Sequence, residues 1–307
     1  MSTNKFLIIG ANGFLGSRIT KLLVKKGYEV IGSYYNQKNY LTNLNKYKNF
    51  YLEHLDVNSR QDIKRLFTKY RPNKIINCAA YGVLPSNKDE IKIFDVNLRG
   101  AFNLFKEADN FKADIFVQFG SCFEYGNHKG NISEGSFLNP TTFYGITKLA
   151  CTNLLLDLNK TANVSLVILR PFGLWGPNES SERLVPQIIS SCLSKNNLNL
   201  TLGDQIRDYT YVDDLAEWTL KIINLKEFPN GEIVNLGSSR IQLRQFAKSI
   251  AKNFNCENLL KFGKLPYRNN EMMELSSDNS KLIGLIGQLK KTTIEEGLKI
   301  IIEENYN

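Results

Sequence analysis

The sequence predicts an α/β fold built on a doubly wound parallel sheet, and three observations predict it. Short apolar segments alternate with amphipathic helical segments from Phe6 to Arg170. Strand segments such as KIINCAA are apolar along most of their length, which indicates burial on both faces of a sheet. A glycine-rich turn separates the first strand from the first helix. We therefore expect helices on both sides of one large sheet.

The predicted elements follow one another in a regular order. The strand FLIIG, the helix within ANGFLGSRITKLLVKKG and the strand YEVIGSYY form the first βαβ unit. The strand FYLEHLDV, a helix over Asp62 to Lys69 and the strand KIINCAA come next. A long helix from about Asp89 to Asp109, the strand ADIFVQFG, a helix after Pro140 and a strand from Val164 to Arg170 complete the series.

Length and composition fit one globular unit with a smaller second lobe. The chain has 307 residues, of which 42% are apolar and 22% are charged. Its net charge of +9 comes from lysines scattered among acids and asparagines, so we predict no nucleic-acid partner. The excess charge suits anionic small molecules, although an AT-rich genome would also enrich lysine, asparagine and isoleucine.

Cysteine usage and hydropathy bear on where the protein works. The cysteines are odd in number and show no CxxC or ligand-like spacing, so neither a disulfide framework nor a metal site is predicted. No apolar run approaches the ~18 to 20 residues of a membrane span, and a strand begins almost at the N-terminus. We expect a cytoplasmic protein without a membrane partner. The five cysteines are Cys78, Cys122, Cys151, Cys192 and Cys256.

The glycine turn GANGFLG between the first strand and helix predicts a dinucleotide site. Glycines let the backbone approach a pyrophosphate closely, and the helix N-terminus offers unpaired N–H groups. The alternative is a tight turn that binds nothing. The predicted loop contacts are Gly10, Asn12, Gly13, Phe14, Leu15 and Gly16.

The end of the second strand favours NADP over NAD. An acid there would hold the ribose 2′-OH, but the sequence VIGSYYNQK offers none. Ser33, Asn36 and Lys38 could meet a 2′-phosphate, although no arginine supplies a bidentate clamp. At the end of the third strand Asp56, with Val57, is a candidate to meet the adenine, and the alternative role of Asp56 is to cap the following turn.

The segment YGITK predicts a proton-transfer pair. Tyr144 and Lys148 stand at i and i+4 on one helix face, and a lysine cation beside a phenol stabilises the phenolate. The alternative is an ordinary surface pair. Ser121 follows the strand ADIFVQFG at the carboxyl edge of the sheet, where ligands of such folds bind, and can hydrogen-bond a substrate oxygen beside the tyrosine.

The strand and helix alternation weakens after Arg170. Glycines and prolines then indicate loops with one helix as far as about Gln205. We expect residues 1–170, completed by segments near 205–235, to form the dinucleotide-binding domain. Residues 171–204 and 236–307 would form a smaller C-terminal substrate-binding lobe, with the working site in the cleft between the two.

Five motifs occur in the order and spacing of one known family: GANGFLG, GSCFEYG, YGITK, LRPFGLWGP and RDYTYVDD. From Lys5 to the helix around Ile294 to Ile302, the chain resembles the extended short-chain dehydrogenase/reductase family, in its nucleotide-sugar epimerase/dehydratase branch. The resemblance implies a Rossmann-like sheet, NADP or NAD as cofactor, a nucleotide-sugar substrate and a catalytic trio of Ser121, Tyr144 and Lys148.

The resemblance also implies roles for residues outside the trio. The arginines would meet the pyrophosphate of the sugar nucleotide, with a salt bridge as the alternative, for Arg207 with Asp208 or Asp213. Helix pairing is common in the family, and the apolar residues of the helices Asp89 to Asp109 and Pro140 to Lys160 would permit a homodimer. The implied cofactor contacts are Ala79, Ala80, Tyr81, Pro171 and Phe172, with Asn97 bracing the site, and the implied substrate contacts are Cys122, Arg207 and Arg268.

The residues after Ser121 bear on the reaction. Dehydratases of this family carry an Asp-Glu pair there, but this chain has Cys122 and Phe123, so elimination of water would lack its acid and base. Glu124 comes two positions late, and the sequence does not say where the turn places it. The stretch SCFEYG resembles that of nucleotide 4-keto-6-deoxysugar reductases, such as CDP-abequose synthase.

We therefore predict NADPH-dependent reduction of a nucleotide 4-keto-6-deoxysugar at C4, for surface polysaccharide synthesis. The alternative is an NAD-dependent nucleotide-sugar 4-epimerase. A more remote alternative is a regulator that senses NADP without catalysis. Such regulators tend to lose the tyrosine or the lysine, and both are present here.

Overall fold

The structure is a computed structural model that describes residues 4–36, 39–84, 86–128, 130–268 and 271–306. The strands within them are β1 (Lys5–Ile9), β2 (Glu29–Tyr34), β3 (Phe50–His54), β4 (Lys74–Asn77), β5 (Ile115–Phe119), β6 (Asn131–Ile132), β7 (Ser165–Pro171), β8 (Leu174–Trp175), β9 (Leu198–Leu200), β10 (Ile206–Asp208), β11 (Thr210–Tyr211), β12 (Glu232–Leu236), β13 (Arg240–Gln242), β14 (Leu260–Phe262) and β15 (Glu274–Ser277).

Helices alternate with these strands. The α-helices of the described residues are α1 (Phe14–Lys25), α2 (Arg60–Tyr70), α3 (Glu90–Phe94), α4 (Ala101–Asn110), α5 (Phe143–Asn159), α6 (Leu184–Ser194), α7 (Val212–Ile223), α8 (Leu243–Lys252), α9 (Ser280–Ile286) and α10 (Ile294–Asn305). Short 3₁₀ turns cover Asn39–Leu44, Cys122–Glu124 and Glu257–Leu259, and a π-helical turn, Asp95–Gly100, joins α3 to α4. None of the described helices is long and apolar enough to cross a membrane.

A large parallel sheet is the centre of the fold, so the predicted α/β class is confirmed. Seven strands of the described chain pair in the order β12-β7-β5-β4-β1-β2-β3, and every pairing is parallel. Alternate side chains of β1 enter different cores: Phe6 and Ile8 pack in the cluster that includes residues of α1 and α7, whereas Leu7 and Ile9 pack with residues of α2, α4 and α5. Helices therefore cover both faces of the sheet.

A smaller group of elements comes mostly after β7 in the chain, with β6 before it. The described strands β13, β10, β15 and β6 form a mixed four-stranded sheet, and a third apolar cluster gathers side chains from α6, α8 and α10. The strand β12 returns to the edge of the large sheet beside β7. The predicted division into a dinucleotide-binding domain and a substrate lobe stays a prediction.

A disulfide joins two elements of the smaller group. Cys192 in α6 and Cys256 after α8 are bonded, with their Cα atoms 5.6 Å apart. The sequence indicated no disulfide, because the two residues are 64 positions apart and only the packing of α6 on α8 brings them together. Cys78, Cys122 and Cys151 are free thiols. The cytoplasmic location inferred from cysteine usage stays a prediction.

Candidate active site

The glycine turn between β1 and α1 has the shape that a pyrophosphate needs. Gly10 has a φ of +71°, and a Cβ at Gly16 would collide with the Gly10 carbonyl oxygen, so neither position accepts a side chain. A Cβ at Gly10 would lie 3.1 Å from the backbone nitrogen of Ala79 at the end of β4. The helix α1 starts directly after Gly13, and no side chain that the structure describes caps it. Its first N–H groups are therefore available to an anion, so the loop fits a dinucleotide.

The end of β2 lies beside this loop. The Ser33 side chain is buried, and its Oγ accepts a hydrogen bond of 3.3 Å from the Gly10 N–H, so it supports the loop from within. The Asn12 amide donates to the carbonyl oxygen of Asn36. Lys38 lies outside the described residues. Of the residues predicted to meet a 2′-phosphate, Asn36 is exposed in this structure and Ser33 is not.

A different cation stands near the end of β2. Lys92 Nζ in α3 lies 4.6 Å from the ring centroid of Tyr81 and 5.9 Å from that of Tyr35, which is 54% exposed. Lys92 has no carboxylate partner within the described ranges of the chain. No sequence motif singles Lys92 out, because its place depends on how the fold brings α3 near Tyr35 and Tyr81, which follow β2 and β4.

The predicted adenine contact Asp56 has a local partner. Its Oδ1 accepts a hydrogen bond of 2.9 Å from the Asn58 N–H, which is the turn-capping arrangement that the sequence left as the alternative. Val57 is buried, and its carbonyl oxygen accepts a hydrogen bond from Asn103. Neither contact excludes an adenine ring, so the adenine role of both residues stays a prediction.

Asn97 joins the end of β4 to α5. It lies in the π-helical turn with 1% of its surface exposed. Its Oδ1 accepts from the Tyr81 N–H at 2.9 Å, and its Nδ2 donates to the Tyr81 carbonyl at 2.8 Å and to Thr147 Oγ1 at 3.3 Å. Asn97 therefore fixes the segment of Ala79, Ala80 and Tyr81 relative to the helix of the proton-transfer pair.

The structure brings Ser121, Tyr144 and Lys148 together. Ser121 follows β5, and the other two lie at the start of α5, where Thr142 Oγ1 caps the helix by accepting from the Gly145 N–H at 3.0 Å. The Ser121 side chain lies close enough to the Tyr144 phenol to lower its pKa. The Lys148 ammonium donates to the carbonyl oxygen of Phe119 at the end of β5. All three side chains are at least nine-tenths buried.

Burial dominates the titration of this pair. It raises the pKa of the Tyr144 phenol above its usual value, and the hydrogen bond from Ser121 opposes that rise. Burial lowers the pKa of Lys148. The sequence led us to expect that Lys148 would depress the pKa of Tyr144, and this structure shows the opposite net direction. The reason is that desolvation of the phenol outweighs the groups that favour its charged form.

Glu124 is the residue of this region that the sequence left unplaced. It is fully buried behind the turn that carries Ser121. Its Oε1 accepts from the Ser121 N–H at 2.8 Å, and its Oε2 lies 2.7 Å from Arg170 Nη2. Burial alone would lower the pKa of Arg170, but the Glu124 carboxylate and the Tyr125 phenol raise it. The Glu124 carboxylate is therefore paired and shielded from solvent.

Cys122, Pro171 and Phe172 line the other side of the same turn. Phe172 packs in one apolar cluster with Cys122 and Tyr125, and its ring stacks on the Tyr125 ring at 6.3 Å. Pro171 ends β7 opposite Leu236 of β12. Burial raises the pKa of Cys122 to about 12, and the charges of Arg207 and Arg183 oppose this rise. Two guanidinium groups are thus close enough to act on the residue next to Ser121.

The predicted substrate arginines differ in their surroundings. Arg207 Nη2 lies 2.9 Å from Glu271 Oε1, so its partner is neither Asp208, which binds Ser277, nor Asp213, which binds Arg18. The side chain of Arg207 is half-buried.

Arg268 is exposed, and its carbonyl oxygen accepts from the Glu271 N–H at 3.0 Å. Arg183 at the start of α6 is a further basic residue, which sequence reasoning missed because no motif surrounds it.

Comparisons with known proteins point to one family. The sequence pattern of the NAD dependent epimerase/dehydratase family matches residues 6–237. The UDP-glucuronate 4-epimerase of Thermodesulfobacterium geofontis is 27% identical over 312 residues, which cover 96% of this chain and 94% of that protein. The GDP-6-deoxy-D-talose 4-dehydrogenase of Aggregatibacter actinomycetemcomitans is 24% identical over 98% of this chain and 97% of its own length.

A solved structure shows the same fold. The UDP-glucuronic acid 4-epimerase of Bacillus cereus, in complex with UDP-glucuronic acid and NAD, superimposes with a TM-score of 0.86 at 24% identity. The match covers 98% of each chain.

Proposed function

The chain belongs to the NAD dependent epimerase/dehydratase family, and from this premise we propose that it reduces the C4 keto group of a nucleotide-activated 4-keto-6-deoxysugar with NADPH. The family acts on nucleotide sugars. One observation carries the finer proposal. The turn after Ser121 offers no free carboxylate, because Cys122 and Phe123 are apolar and Glu124 is paired with Arg170. Elimination of water at C5 and C6 would lack its proton-transfer groups, whereas a reduction at C4 needs only one proton.

The side chains at the end of β5 can perform that proton transfer. When bound, the nicotinamide cofactor supplies a hydride to the C4 carbon. Tyr144 donates its proton to the C4 oxygen, and Ser121 hydrogen-bonds the same oxygen. The high pKa of the buried Tyr144 phenol keeps it protonated and ready to donate. Lys148 is the cation nearest in sequence on this helix face, and we assign it the stabilisation of the resulting phenolate.

The preference for NADPH rests on charge at the end of β2. No carboxylate follows Tyr34, so nothing there would repel a 2′-phosphate. Lys92, which has no carboxylate partner among the residues that the structure describes, places its ammonium near the rings of Tyr35 and Tyr81. We propose that Lys92, with Asn36, meets the 2′-phosphate.

The nucleotide part of the substrate would bind on the side of the smaller sheet. Arg207 and Arg183 both act electrostatically on Cys122 and Tyr209, so they border one region next to Ser121. Guanidinium groups suit a diphosphate because each can donate two parallel hydrogen bonds. We propose that Arg207, with Arg268, binds the diphosphate and that the product serves surface polysaccharide synthesis in the cytoplasm.

An exposed apolar face supports the proposal of a homodimer. The helix α3 packs beside α5, and both present large apolar side chains to solvent. Ile91 is 76% exposed and Ile146 is 50% exposed, and Phe94 and Phe143 accompany them. Pairing of this face with a second copy would bury these side chains. Ile91→Glu should shift a dimer to monomer in analytical ultracentrifugation, and a wild-type protein that is already monomeric would contradict the proposal.

A single assay separates the candidate functions. The purified protein is mixed with NADPH and a nucleotide 4-keto-6-deoxysugar, and the absorbance of NADPH is followed with product analysis. We expect loss of NADPH matched by one reduced sugar per cofactor. Interconversion of two nucleotide sugars by NAD that stays bound through purification would instead identify a 4-epimerase, as the relatives suggest. Binding of NADPH without turnover of any nucleotide sugar would favour the regulator.

A further inference from the structure

The Glu124 carboxylate joins three elements around the large sheet, which are the turn after β5, the helix α5 and the strand β7. Its Oε1 accepts from the Ser121 N–H at 2.8 Å, in the turn after β5. Its Oε2 accepts from Thr152 Oγ1 of α5 at 2.9 Å and from Arg170 Nε of β7 at 2.9 Å. Arg170 Nη1 continues the network to the Tyr125 hydroxyl at 2.9 Å. Both carboxylate oxygens are thus used by the protein, and neither Glu124 nor Arg170 has any exposed surface.

We infer that Glu124 is a positioning residue, which holds Ser121 in the orientation that lets its hydroxyl reach Tyr144. The inference rests on the proposed proton-transfer role of Ser121 and Tyr144, and it applies equally to a reductase and to an epimerase. The hydrogen bonds of Glu124 go to Ser121, Thr152 and Arg170 and not to Tyr144, on which the carboxylate acts only through its charge, by raising the pKa of the phenol. Glu124 acts through the backbone of Ser121.

The hydrogen bonds of Ser121 explain how this works. The Ser121 Oγ accepts from the Phe123 N–H at 3.2 Å, while the Ser121 N–H donates to Glu124. The Ser121 Oγ held in this turn lies beside the Tyr144 phenol, whose pKa it lowers. The turn therefore fixes the place of Ser121 relative to Tyr144.

The neighbouring Gly120 is part of the same arrangement. A Cβ at Gly120 would lie 2.5 Å from Glu124 Oε1, so a side chain there would push the carboxylate off the Ser121 N–H. The chain thus keeps a residue without a side chain where the carboxylate approaches.

A buried ion pair of this kind contributes little to the net free energy of unfolding. Removing a carboxylate and a guanidinium from water costs several kcal/mol, and apolar replacements of similar volume are often equally stable. A network that also holds a reacting hydroxyl has a different use, since preorganised donors lower the barrier without reorganising during the reaction. We therefore expect loss of the pair to affect turnover more than folding.

The central experiment removes both charges together. Glu124→Leu with Arg170→Met removes the acceptor of the Ser121 N–H and leaves no unpaired buried ion, so the double variant should fold. We expect kcat to fall about 10- to 100-fold with KM and the Kd for NADPH nearly unchanged. A kcat within about twofold of wild type would overturn the inference.

A double-mutant cycle shows whether Glu124 acts through Ser121. Ser121→Ala is made alone and on the background of the double variant. If Glu124 works by positioning Ser121, its loss should reduce kcat by less than about twofold once Ser121 is gone. Independent effects that multiply would contradict a positioning role.

A conservative variant covers the case in which the double variant does not fold. Glu124→Asp keeps the charge beside Arg170 but shortens the side chain, so the bond to the Ser121 N–H should be lost. We expect a reduced kcat and a shift of the alkaline limb of the kcat profile to higher pH, because the Ser121 hydrogen bond lowers the pKa of Tyr144. An unchanged profile with full kcat would argue against the inference.

A matched control lies on β3, far along the sheet. Glu53 also accepts from several donors, Arg65, Lys69 and Tyr70, and none of these donors belongs to the turn that carries Ser121. Glu53→Gln should lower the melting temperature and leave kcat and its pH profile as in wild type. A similar change of profile in Glu53→Gln would mean that the assay reports general destabilisation rather than positioning.

The same variants separate this inference from the proposed function. If the purified protein reduces no 4-keto-6-deoxysugar but interconverts two nucleotide sugars, the cycle is run in the epimerase assay. The proposed reaction would then be wrong, while the positioning role would still be tested by the coupling between Glu124 and Ser121.

Discussion

Two buried carboxylates stand in two regions of the molecule, and only one of them is fully paired. Glu124, in the turn after β5, accepts from Ser121, Thr152 and Arg170. Glu179, between β8 and α6, lies 3.5 Å from the Arg183 Nε, and its Oε2 has no hydrogen bond to any residue that the structure describes. Burial raises the pKa of Glu179 to about 7, while Arg183 opposes the rise.

The difference separates a region whose buried carboxylate is fully hydrogen-bonded by the protein from a region whose buried carboxyl has an oxygen without a hydrogen bond to any described residue. The protein alone satisfies the turn after β5, so the proton-transfer groups are in place before any ligand binds. The segment before α6 keeps a buried carboxyl with an unused oxygen. We expect substitutions in the first region to act on turnover, and those in the second to act on substrate binding and on pH dependence.

The largest effect on turnover should come from the turn after β5 and the start of α5. Tyr144→Phe removes the proton donor but keeps the ring that packs against Phe123. We expect kcat to fall by about 10³-fold or more with the Kd for NADPH almost unchanged, as measured by stopped-flow turnover and fluorescence titration. Near-normal turnover would contradict the proton-donor role of Tyr144. It would also contradict the assignment of turnover to the region around the turn after β5.

Glu179→Gln tests the segment before α6 through the pH dependence of the free energy of unfolding. The folded pKa of about 7 lies above the usual 4.5, so the folded state holds a proton that the unfolded chain releases. Stability should therefore be lost as pH rises from about 4.5 to about 7, and the variant should not show this loss.

We expect Glu179→Gln to be about 2 kcal/mol more stable than wild type near pH 8, in urea unfolding at several pH values. Glu53→Gln is the control of opposite sign. The donors Lys69, Tyr70 and Arg65 hold the pKa of Glu53 at about 2 against the effect of burial, so its loss should destabilise the protein at neutral pH. A wild type with flat stability between these pH values would mean that Glu179 is solvated.

Arg207→Ala should affect substrate binding more than turnover. The guanidinium is half-buried beside Glu271, and a diphosphate could replace or join that partner. We expect KM for the nucleotide sugar to rise about 30-fold with a smaller change in kcat, in steady-state kinetics. Arg240→Ala, which breaks the exposed Arg240–Glu274 pair on the neighbouring strand, is the matched control and should change KM little. Equal effects of the two variants would place the diphosphate elsewhere.

The smallest effect should appear at the end of β2. Lys92→Ala should weaken binding of NADP⁺ about 10-fold and leave binding of NAD⁺ unchanged, as measured by isothermal titration. Lys88→Ala, an exposed lysine in the loop before α3, serves as the control. Equal losses for both cofactors would assign Lys92 to a group that they share, and no loss for either would remove it from the cofactor site.

The sequence predicted the fold because the apolar pattern repeats over long stretches. The strands of the large sheet occur where runs such as KIINCAA stand, and the helix predicted from about Asp89 to Asp109 is α3, the π-helical turn and α4. The proton-transfer residues were also predictable, because Tyr144 and Lys148 are one helical turn apart and Ser121 ends a recognisable strand.

The remaining features depend on distance in the chain and on burial. Glu124 and Arg170 are 46 positions apart, and their pairing follows from the shape of one turn. The partner of Arg207 is Glu271, which is 64 positions away. The direction of the Tyr144 pKa depends on how deeply the phenol is buried, and a motif carries no information on that depth.

Because of the π-helical turn at Asp95–Gly100, the number of residues in this helix determines where Asn97 lies. A π turn contains about one residue more than an α turn, and deletion of a single residue there would restore ordinary winding. The residues within the turn would then change the direction in which they face, while the helices on either side would keep theirs. Asn97 could no longer bond both Tyr81 and Thr147. Insertions and deletions in this helix should therefore be tolerated far less than substitutions on its exposed face.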